Sequence, residues 1–460
     1  MLTEQTELSV DTIRSLIEAT DKQRLRLLLN DQHPADIAVL LAELNKEDRL
    51  SCFRLLDLDN ASDVLAELEA DLSRELLHEL GNIGVVPLIR RMPPDEAADL
   101  LSELPEAEAT SIISQMGDEE SAQEIKELMS FEEDSAGGIM STDYLVLESS
   151  MTASEALARL LETYEELDEE IYDVYVVDAD DHLVGRVSLR ELLTAEGDIP
   201  VESIMDADVF SVDTDTDQEE AAEKLSHYDV LSLPVVDKEG RLKGIITADD
   251  VFDVIEEEAT EDIYESSGIN VPEMETSEAL TYNLPLAFRA RLPWLVVTLL
   301  IETGSVLVIT HFDHIIQQTV AAASFMPLLS GVTGSVATQS TCIVIRGTAL
   351  GHFNWSAAWK NVWHEARVGT LLGLACGFVA WAVSLIMHAG HPTSLGIIVG
   401  FSLTLTMMVG VLIGTITPMM FHRLGIDPAH ASGPLITSIL DVCTMTIYLS
   451  IVHVCLTHLL

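Results

Sequence analysis

The sequence predicts a multidomain membrane protein with an all-α, acidic, superhelical N-domain, an α/β module behind it, and a five-helix transmembrane domain. Three observations predict this. The 460-residue chain carries 77 acidic and 24 basic side chains, net −53, yet 48% of it is hydrophobic, an average that two unlike parts produce. The charge divides at Thr281. Residues 281–460 hold six basic side chains (Arg289, Arg291, Arg346, Lys360, Arg367, Arg423) and five acidic ones (Glu302, Asp313, Glu365, Asp427, Asp441), so residues 1–280 carry net −54. Within the acidic part, an offset of 59 residues superimposes two stretches of sequence.

Residues 34–137 read as short helices. The units PADIAVLLAEL (34–44), ASDVLAELE (61–69) and DEAADLLSEL (95–104) repeat Leu, Ile and Val at helical spacing. Asp or Pro-Asp marks each start as a cap or first-turn residue. Such helices bury their apolar faces by stacking antiparallel into a superhelix. An acidic region of this size lacks the clustered Lys and Arg that phosphate binding needs, so no nucleic-acid partner is expected. It is also too apolar and too well patterned for a disordered acidic tail. The first ten residues, MLTEQTELSV, show no basic or apolar region of a cleavable signal peptide. Five scattered cysteines (Cys52, Cys342, Cys376, Cys443, Cys455) give neither zinc spacing nor a disulfide framework and are expected as small buried hydrophobes.

In residues 138–262 the stretch 175–193 matches 233–252, with Val176/Val235, Asp178/Asp237, Leu183/Leu242, Gly185/Gly244 and Ser188/Thr247 coinciding. Each copy reads strand, polar turn, strand, helix, preceded by a helical stretch at 153–166 or 218–227, a β-α-β-β-α pattern.

Five apolar stretches, 293–310, 320–345, 368–387, 395–420 and 433–456, reach or approach the length that crosses a bilayer. With the acidic part in the cytoplasm, all six basic residues fall on the inner side, and the outer connections around 311–318 and 388–394 hold no Lys or Arg. Five spans then leave the C-terminus outside a plasma (inner) membrane.

Glu302 and Asp441 are the two acidic residues inside the spans. A carboxylate at mid-membrane costs ~3 kcal/mol or more, so it faces a cavity, a partner or an ion path. Asp441 lies on a helical stripe with Thr437, Ser438 and Thr444, which fits either a cavity or a protonated acid bonded to a neighbouring helix. Glu302 has Thr303 and Ser305 nearby but no comparable stripe. In the second span, Ser330, Gly334 and Thr338 stand four apart, a small-residue spacing that lets helices approach closely. Together with Thr437 and Ser438 they are candidate pore-lining residues; a tightly packed helix without a pathway is the alternative.

The duplicated module resembles a pair of CBS domains, which bind adenine nucleotides through a Ser/Thr-x-x-Asp element. The second copy holds it as Thr247 to Asp250; the first reads Ser188, Leu189, Arg190, Glu191. The resemblance implies ATP or another adenine nucleotide on Ser188, Arg190 and Glu191, or a dimerising scaffold with an empty cleft. Across the whole chain, EEDSAGGIM (132–140), DTDQEE (215–220), the segment 233–263, RLPWL (291–295) and RLGIDPAHASGPLITSILDV (423–442) resemble the MgtE family of magnesium channels. That resemblance implies an acidic helical N-domain (1–137), the CBS pair (138–262), a connecting plug helix (263–291) and the pore domain (292–460). It also implies a homodimer with its pore on the two-fold axis, shut by intracellular Mg²⁺. Carried over by motif, the sensor positions are Asp95, Asp99, Glu219, Asp229, Asp250, Asp253, Glu258, Glu261 and Asp262, and the pore acid is Asp441. Mg²⁺ favours sparse carboxylates because it keeps much of its water shell, and two Asp441 carboxylates at a dimer axis need a cation between them.

Three positions, Ser335, Ala337 and Gly433, depart from the family pattern. Gly334-Ser335-Val336-Ala337-Thr338-Gln339 stands where the family shows Gly-Asn-x-Gly-x-Gln, and Gly433 stands where Asn precedes the proline. Four outer-loop histidines (His311, His314, His388, His391) hint at a softer divalent such as Co²⁺ or Zn²⁺. Three readings stay open: a passive Mg²⁺-gated channel, an ion-coupled divalent-cation transporter using Asp441 or Glu302 as a relay, and a nucleotide-sensing regulatory membrane protein. No nucleophile–base constellation or Walker-type loop appears in the sequence, so an enzyme is not expected.

Overall fold

The computed structural model describes residues 9–163, 173–270, 283–349, 358–387, 392–424, 426–430 and 433–458. The chain divides into two compact units, Met1–Glu256 and Glu257–Leu460.

Among the described residues, the first unit opens with nine helices: α1 (Val10–Glu18), α2 (Lys22–Leu29), α3 (Pro34–Ala42), α4 (Lys46–Phe53), α5 (Leu58–Ala66), α6 (Ala70–Ile89), α7 (Pro94–Ser102), α8 (Glu106–Gln115) and α9 (Glu119–Leu128). Side chains of Ser9, Asp21, Asn45, Asp57 and Asp118 accept backbone N–H groups at the starts of α1, α2, α4, α5 and α9; each cap contributes about 1 kcal/mol. The helix expected to start at Ala61 begins at Leu58, because Asp57 supplies the cap. Gly81, at φ +61°, kinks α6 in a conformation that other residues rarely adopt. Alternate helices stack, α3 on α5, α5 on α7 and α7 on α9, around a core that includes Leu41, Leu65, Leu77, Ile89 and Leu101.

The duplication builds two equivalent sheets: β1 (Val146–Glu148), β2 (Asp173–Val177) and β3 (Leu183–Ser188), then β4 (Val212–Asp213), β5 (Ser232–Val236) and β6 (Leu242–Thr247). In each, the first pair is parallel and the second antiparallel, with Val176 opposite Gly185 and Val235 opposite Gly244. The helices are α10 (Ala153–Thr163) and α11 (Leu189–Thr194) in one copy and α12 (Gln218–His227) and α13 (Ala248–Ser266) in the other. The matching glycines admit Met205 and Met140: a Cβ on Gly185 or Gly244 would lie 2.7 Å from the methionine sulfur. The buried Tyr175 hydroxyl meets Ser232 Oγ at 2.7 Å and ties the copies together.

Among the described residues of the second unit, five helices are long and apolar enough to cross a membrane: α14 (Leu284–His311), α17 (Met326–Ala349), α18 (Ala358–Met387), α19 (Pro392–Arg423) and α20 (Gly433–His458), with α15 (Asp313–Gln318) and α16 (Val320–Ala323) between the first two. The plug segment expected over 263–291 is described only at its two ends. Its first residues end α13, 271–282 lie outside the described residues, and 284–291 already belong to α14, capped by Asn283 with Pro285 in the first turn. α18 and α19 cross at backbone contact, since a Cβ on Gly377 would lie 2.6 Å from the Gly400 carbonyl oxygen. Thr341 Oγ1 donates to the Gly414 carbonyl at 3.0 Å where α17 meets α19. Of the cysteines only Cys52 is buried; Cys342 is exposed on α17 and the others are half-buried, as helix faces turned toward lipid require no polar cover.

Candidate functional site

Three groups of side chains carry the chemistry. The first lies in the first unit, where α7 and the start of α13 bring Asp95, Asp99 and Asp250 into one electrostatic cluster. Asp95 and Glu96 occupy the first turn of α7, a place where the helix dipole favours carboxylates. Asp250 is held in the first turn of α13 by the backbone N–H and hydroxyl of Thr247, both donating to its Oδ2. Burial, then the charge of Asp250, pushes Asp95 up to about 6, and its Oδ1 is sealed from solvent without a donor. Burial, then Asp95, Glu133, Asp250 and Glu103, pushes Asp99 up to about 7. Glu96 rises to about 8 through burial, then Asp95, Asp63, Glu67 and Asp250. Glu96 and Asp99 still present surface to water, so the acids crowd a cleft that remains open to an ion. Carboxylates so placed need protons or a cation between them.

The other sensor positions fall elsewhere. Asp253 is exposed, and after burial its neighbouring charges are Glu256 and Asp249 of its own helix. Glu219 sits in the first turn of α12, and Asp229 follows its C-cap with φ +51°. Opposite ends of a ten-residue helix stand about 15 Å apart, too far to share one ion within a chain.

The second group belongs to the second unit, at the end of α13. Glu258, Glu261 and Asp262 lie there with Glu265, which sequence reasoning did not single out. Burial, then Asp427, pushes Asp262 up to about 6, against Arg346; burial, Asp427 and Glu261 push Glu265 up as well. Asp262 and Glu265 thus both face the charge of Asp427, which precedes the single-turn helix Pro428–His430 between α19 and α20. Glu265, Asp427 and His430 place one ligand atom each within 4.8 Å of one another. The two segments are 162 residues apart, and periodicity within one helix carries no sign of a partner so distant; the Glu258, Glu261, Asp262, Glu265 spacing was the one available signal.

In the CBS pair, the motif residues of both copies bond among themselves. Ser188 and Glu191 form a reciprocal capping box on α11, and on α13 the Thr247 N–H and hydroxyl both donate to Asp250 Oδ2. Arg190 is exposed between them.

The third group lies within the membrane spans. Ser330 donates to Asp441 Oδ1 across the α17–α20 crossing. A Cβ on Gly334 would meet Thr437 Cγ2 at 3.2 Å, and one on Gly433 would lie 3.7 Å from Thr338 Cγ2. Ser330, Gly334 and Thr338 thus face Asp441, Thr437 and Gly433 as three rungs of an antiparallel helix contact. Ser438 is buried and donates to the Pro434 carbonyl at 2.8 Å. Of the five candidate pore-lining residues, Ser330, Gly334, Thr338 and Thr437 lie in the contact between α17 and α20, where small side chains let backbones approach. An open cavity of about 330 Å³ lies between α14 and α20, lined by Leu299, Glu302, Thr303, Ser305, Val306, Ile309, Asp441 and Met445. Glu302, which had the weaker pattern, lies against Asp441. On α17 the exposed polar stripe is Gly331, Ser335 and Gln339, one position on from the packed one. Of the outer histidines, His388 and His391 lie outside the described residues, whereas His314 lies 6.0 Å from His453, ring to ring.

Over 448 residues the chain is 36% identical to the magnesium transporter MgtE of Thermus thermophilus, covering 97% of this chain and 98% of that one. The chain belongs to the MgtE family of magnesium transporters. Its modules match in order: residues 32–134 the MgtE intracellular N domain, residues 136–198 and 201–257 the CBS domain, and residues 326–451 the divalent cation transporter region. The magnesium transporter MgtE of Bacillus subtilis is 34% identical over 93% of this chain and 92% of its own. The crystal structure of the cytosolic domain of the Mg²⁺ channel MgtE in complex with ATP aligns at a TM-score of 0.51 and 35% identity, covering 53% of this chain and 99% of that one. These relatives are named as transporters and not as enzymes.

Proposed function

We propose that the chain works as a homodimer in the plasma (inner) membrane, as a Mg²⁺-selective channel for magnesium uptake that closes when intracellular Mg²⁺ binds its acidic N-terminal and CBS regions. The observation that carries this reading is the pairing of Asp441 and Glu302 in one open cavity within the spans. Two mid-membrane carboxylates side by side demand a cation or a proton, and a hydrated Mg²⁺ meets them through its own water shell. The exposed Gly331, Ser335 and Gln339 stripe supports a second copy, since polar groups in hydrocarbon need a partner or a water-filled path.

The cluster of Asp95, Asp99 and Asp250, with Glu96, supplies the sensor. Its acids repel one another, so bound Mg²⁺ favours the arrangement that brings them together. A ligand shifts a conformational equilibrium only by such differential affinity. Arg190 with Ser188 and Glu191 is the proposed contact for ATP or another adenine nucleotide, the class of ligand held by the related cytosolic domain. With the six basic residues on the inner side, the N-terminus is cytoplasmic and the C-terminus outside.

Proteoliposomes test the reading. Mg²⁺ flux should follow the Mg²⁺ gradient alone, with pH and Na⁺ equal on both sides. Uptake that runs only with a proton gradient would instead assign Glu302 and Asp441 to a proton relay.

A further inference from the structure

We infer that the exposed face at the start of α18 binds an anionic phospholipid, with Lys360 and Arg367 on its phosphate and Trp359 and Trp363 beside its glycerol and upper acyl chains. α18 begins at Ala358 and runs for 30 residues. At 3.6 residues per turn, these four side chains share about a third of the helix circumference. Trp359 is 81% exposed and Trp363 68%, and Lys360 and Arg367 are exposed beside them. Where a helix enters a bilayer, an indole lies at headgroup level with its apolar body inward and its N–H toward water. Neither cation has an ion-pair partner among the described residues, although acidic side chains outnumber basic ones 77 to 24 in the chain. Arg367 is turned back along the helix, its Nε donating to the Trp363 carbonyl at 3.4 Å, which brings the guanidinium toward the indoles.

The rest of the same face is apolar. Leu371, Leu374 and Phe378 continue the stripe and are exposed, as a surface against acyl chains requires. Another side of α18 is taken up by protein. Glu365 accepts from Ser340 of α17 at 3.0 Å, and a Cβ on Gly373 would lie 2.7 Å from Thr404 Cα of α19. Lys360 and Arg367 stand about 10 Å apart along the axis, and their flexible stems let both heads reach one headgroup layer. Charge selects the lipid. A zwitterionic headgroup carries its own ammonium beside the phosphate, whereas an anionic one leaves the phosphate charge to a Lys or Arg near the surface. The positive end of the α18 dipole adds to the same field. The site requires that α18 cross the membrane; it does not depend on the channel reading above.

The test uses the full chain in phosphatidylcholine vesicles, into which phosphatidylglycerol with brominated acyl chains is titrated while tryptophan quenching is read. Brominated phosphatidylcholine is the reference lipid. In wild type, brominated phosphatidylglycerol should reach half of its full quenching at a several-fold lower mole fraction than the reference. Lys360→Gln and Arg367→Gln should each lose roughly fivefold of that preference. The double substitution, with both indoles still present, should abolish it, and melting curves check that each variant is folded. Equal quenching by the two lipids in wild type, or a preference unchanged in the folded double variant, overturns the site. So does a wild type quenched no more than Trp359→Phe with Trp363→Phe by either lipid, since protein, such as a second copy of the chain, then covers the face. A preference erased by millimolar inorganic phosphate assigns the two cations to a free anion and overturns the lipid site as well.

Discussion

The Ser330 hydroxyl donates to the carboxylate of Asp441 across the contact between the second and fifth spans. Removing a hydrogen bond to a charged group costs about 1.5–3 kcal/mol. Ser330→Ala should therefore lower the melting temperature of the detergent-solubilised protein and reduce Mg²⁺ flux several-fold. Equal melting for Ser330→Ala and wild type would mean that the serine does not hold the acid in place.

The glycine contact between α18 and α19 makes a purely structural prediction. A Cβ at Gly377 would lie 2.6 Å from the Gly400 carbonyl oxygen, and overpacking of this kind costs about 1–3 kcal/mol. Gly377→Ala should melt at lower temperature yet keep its Mg²⁺ response in the cytosolic region. Unchanged melting would show that the helices separate there at little cost.

The cluster on α7 and α13 predicts a cation-dependent conformation. Limited proteolysis of the full chain should slow as Mg²⁺ is raised from zero to millimolar levels, and the double substitution Asp95→Asn with Asp250→Asn should abolish most of that protection. Asp253→Asn, on the exposed face of α13, should weaken it less. Cleavage that ignores Mg²⁺ in wild type would remove the sensor from the proposal.

The same carboxylates set the sign of a pH dependence. Asp95, Asp99 and Glu96 titrate near about 6, 7 and 8 in the folded chain, above ordinary carboxylate values near 4. The folded state thus binds protons more tightly than the unfolded one. Its stability is fullest below about pH 4 for these groups and falls as pH rises toward about 8. In Mg²⁺-free buffer the chain should melt at lower temperature at pH 8.5 than at pH 6, and Mg²⁺ should restore more at pH 8.5. Asp99→Asn should flatten the slope. A melting temperature that rises with pH in chelator would contradict this.

Local pattern foretold most of the architecture. The 59-residue offset placed Val176 and Val235 opposite Gly185 and Gly244 in twin sheets, because strand alternation and turn residues are written consecutively in the chain. The spans were legible for the same reason, apart from the start of α14, where Asn283 and Pro285 extend the helix before its apolar run. The sites were legible only in part. Asp441 announced itself by its stripe, but Glu302 gained its meaning from a partner 139 residues away. The small-residue stripe of Ser330, Gly334 and Thr338 was visible, yet its spacing serves close packing and pore lining equally well. The crossing with α20 sets Thr437 against Gly334, a contact that the spacing alone does not reveal. His430 carried no periodic signal, since a single-turn helix offers no face.

Mg²⁺ flux through proteoliposomes holding equal amounts of wild type and Asp441→Asn tests the assignment of the ion path most directly. With the Mg²⁺ gradient as the only driving force, wild type should conduct Mg²⁺ and Asp441→Asn, nearly equal in size but uncharged, should lose at least about tenfold of that flux, the scale of 1.4 kcal/mol in ion binding. Undiminished, Mg²⁺-selective flux in Asp441→Asn would contradict an ion path through Asp441.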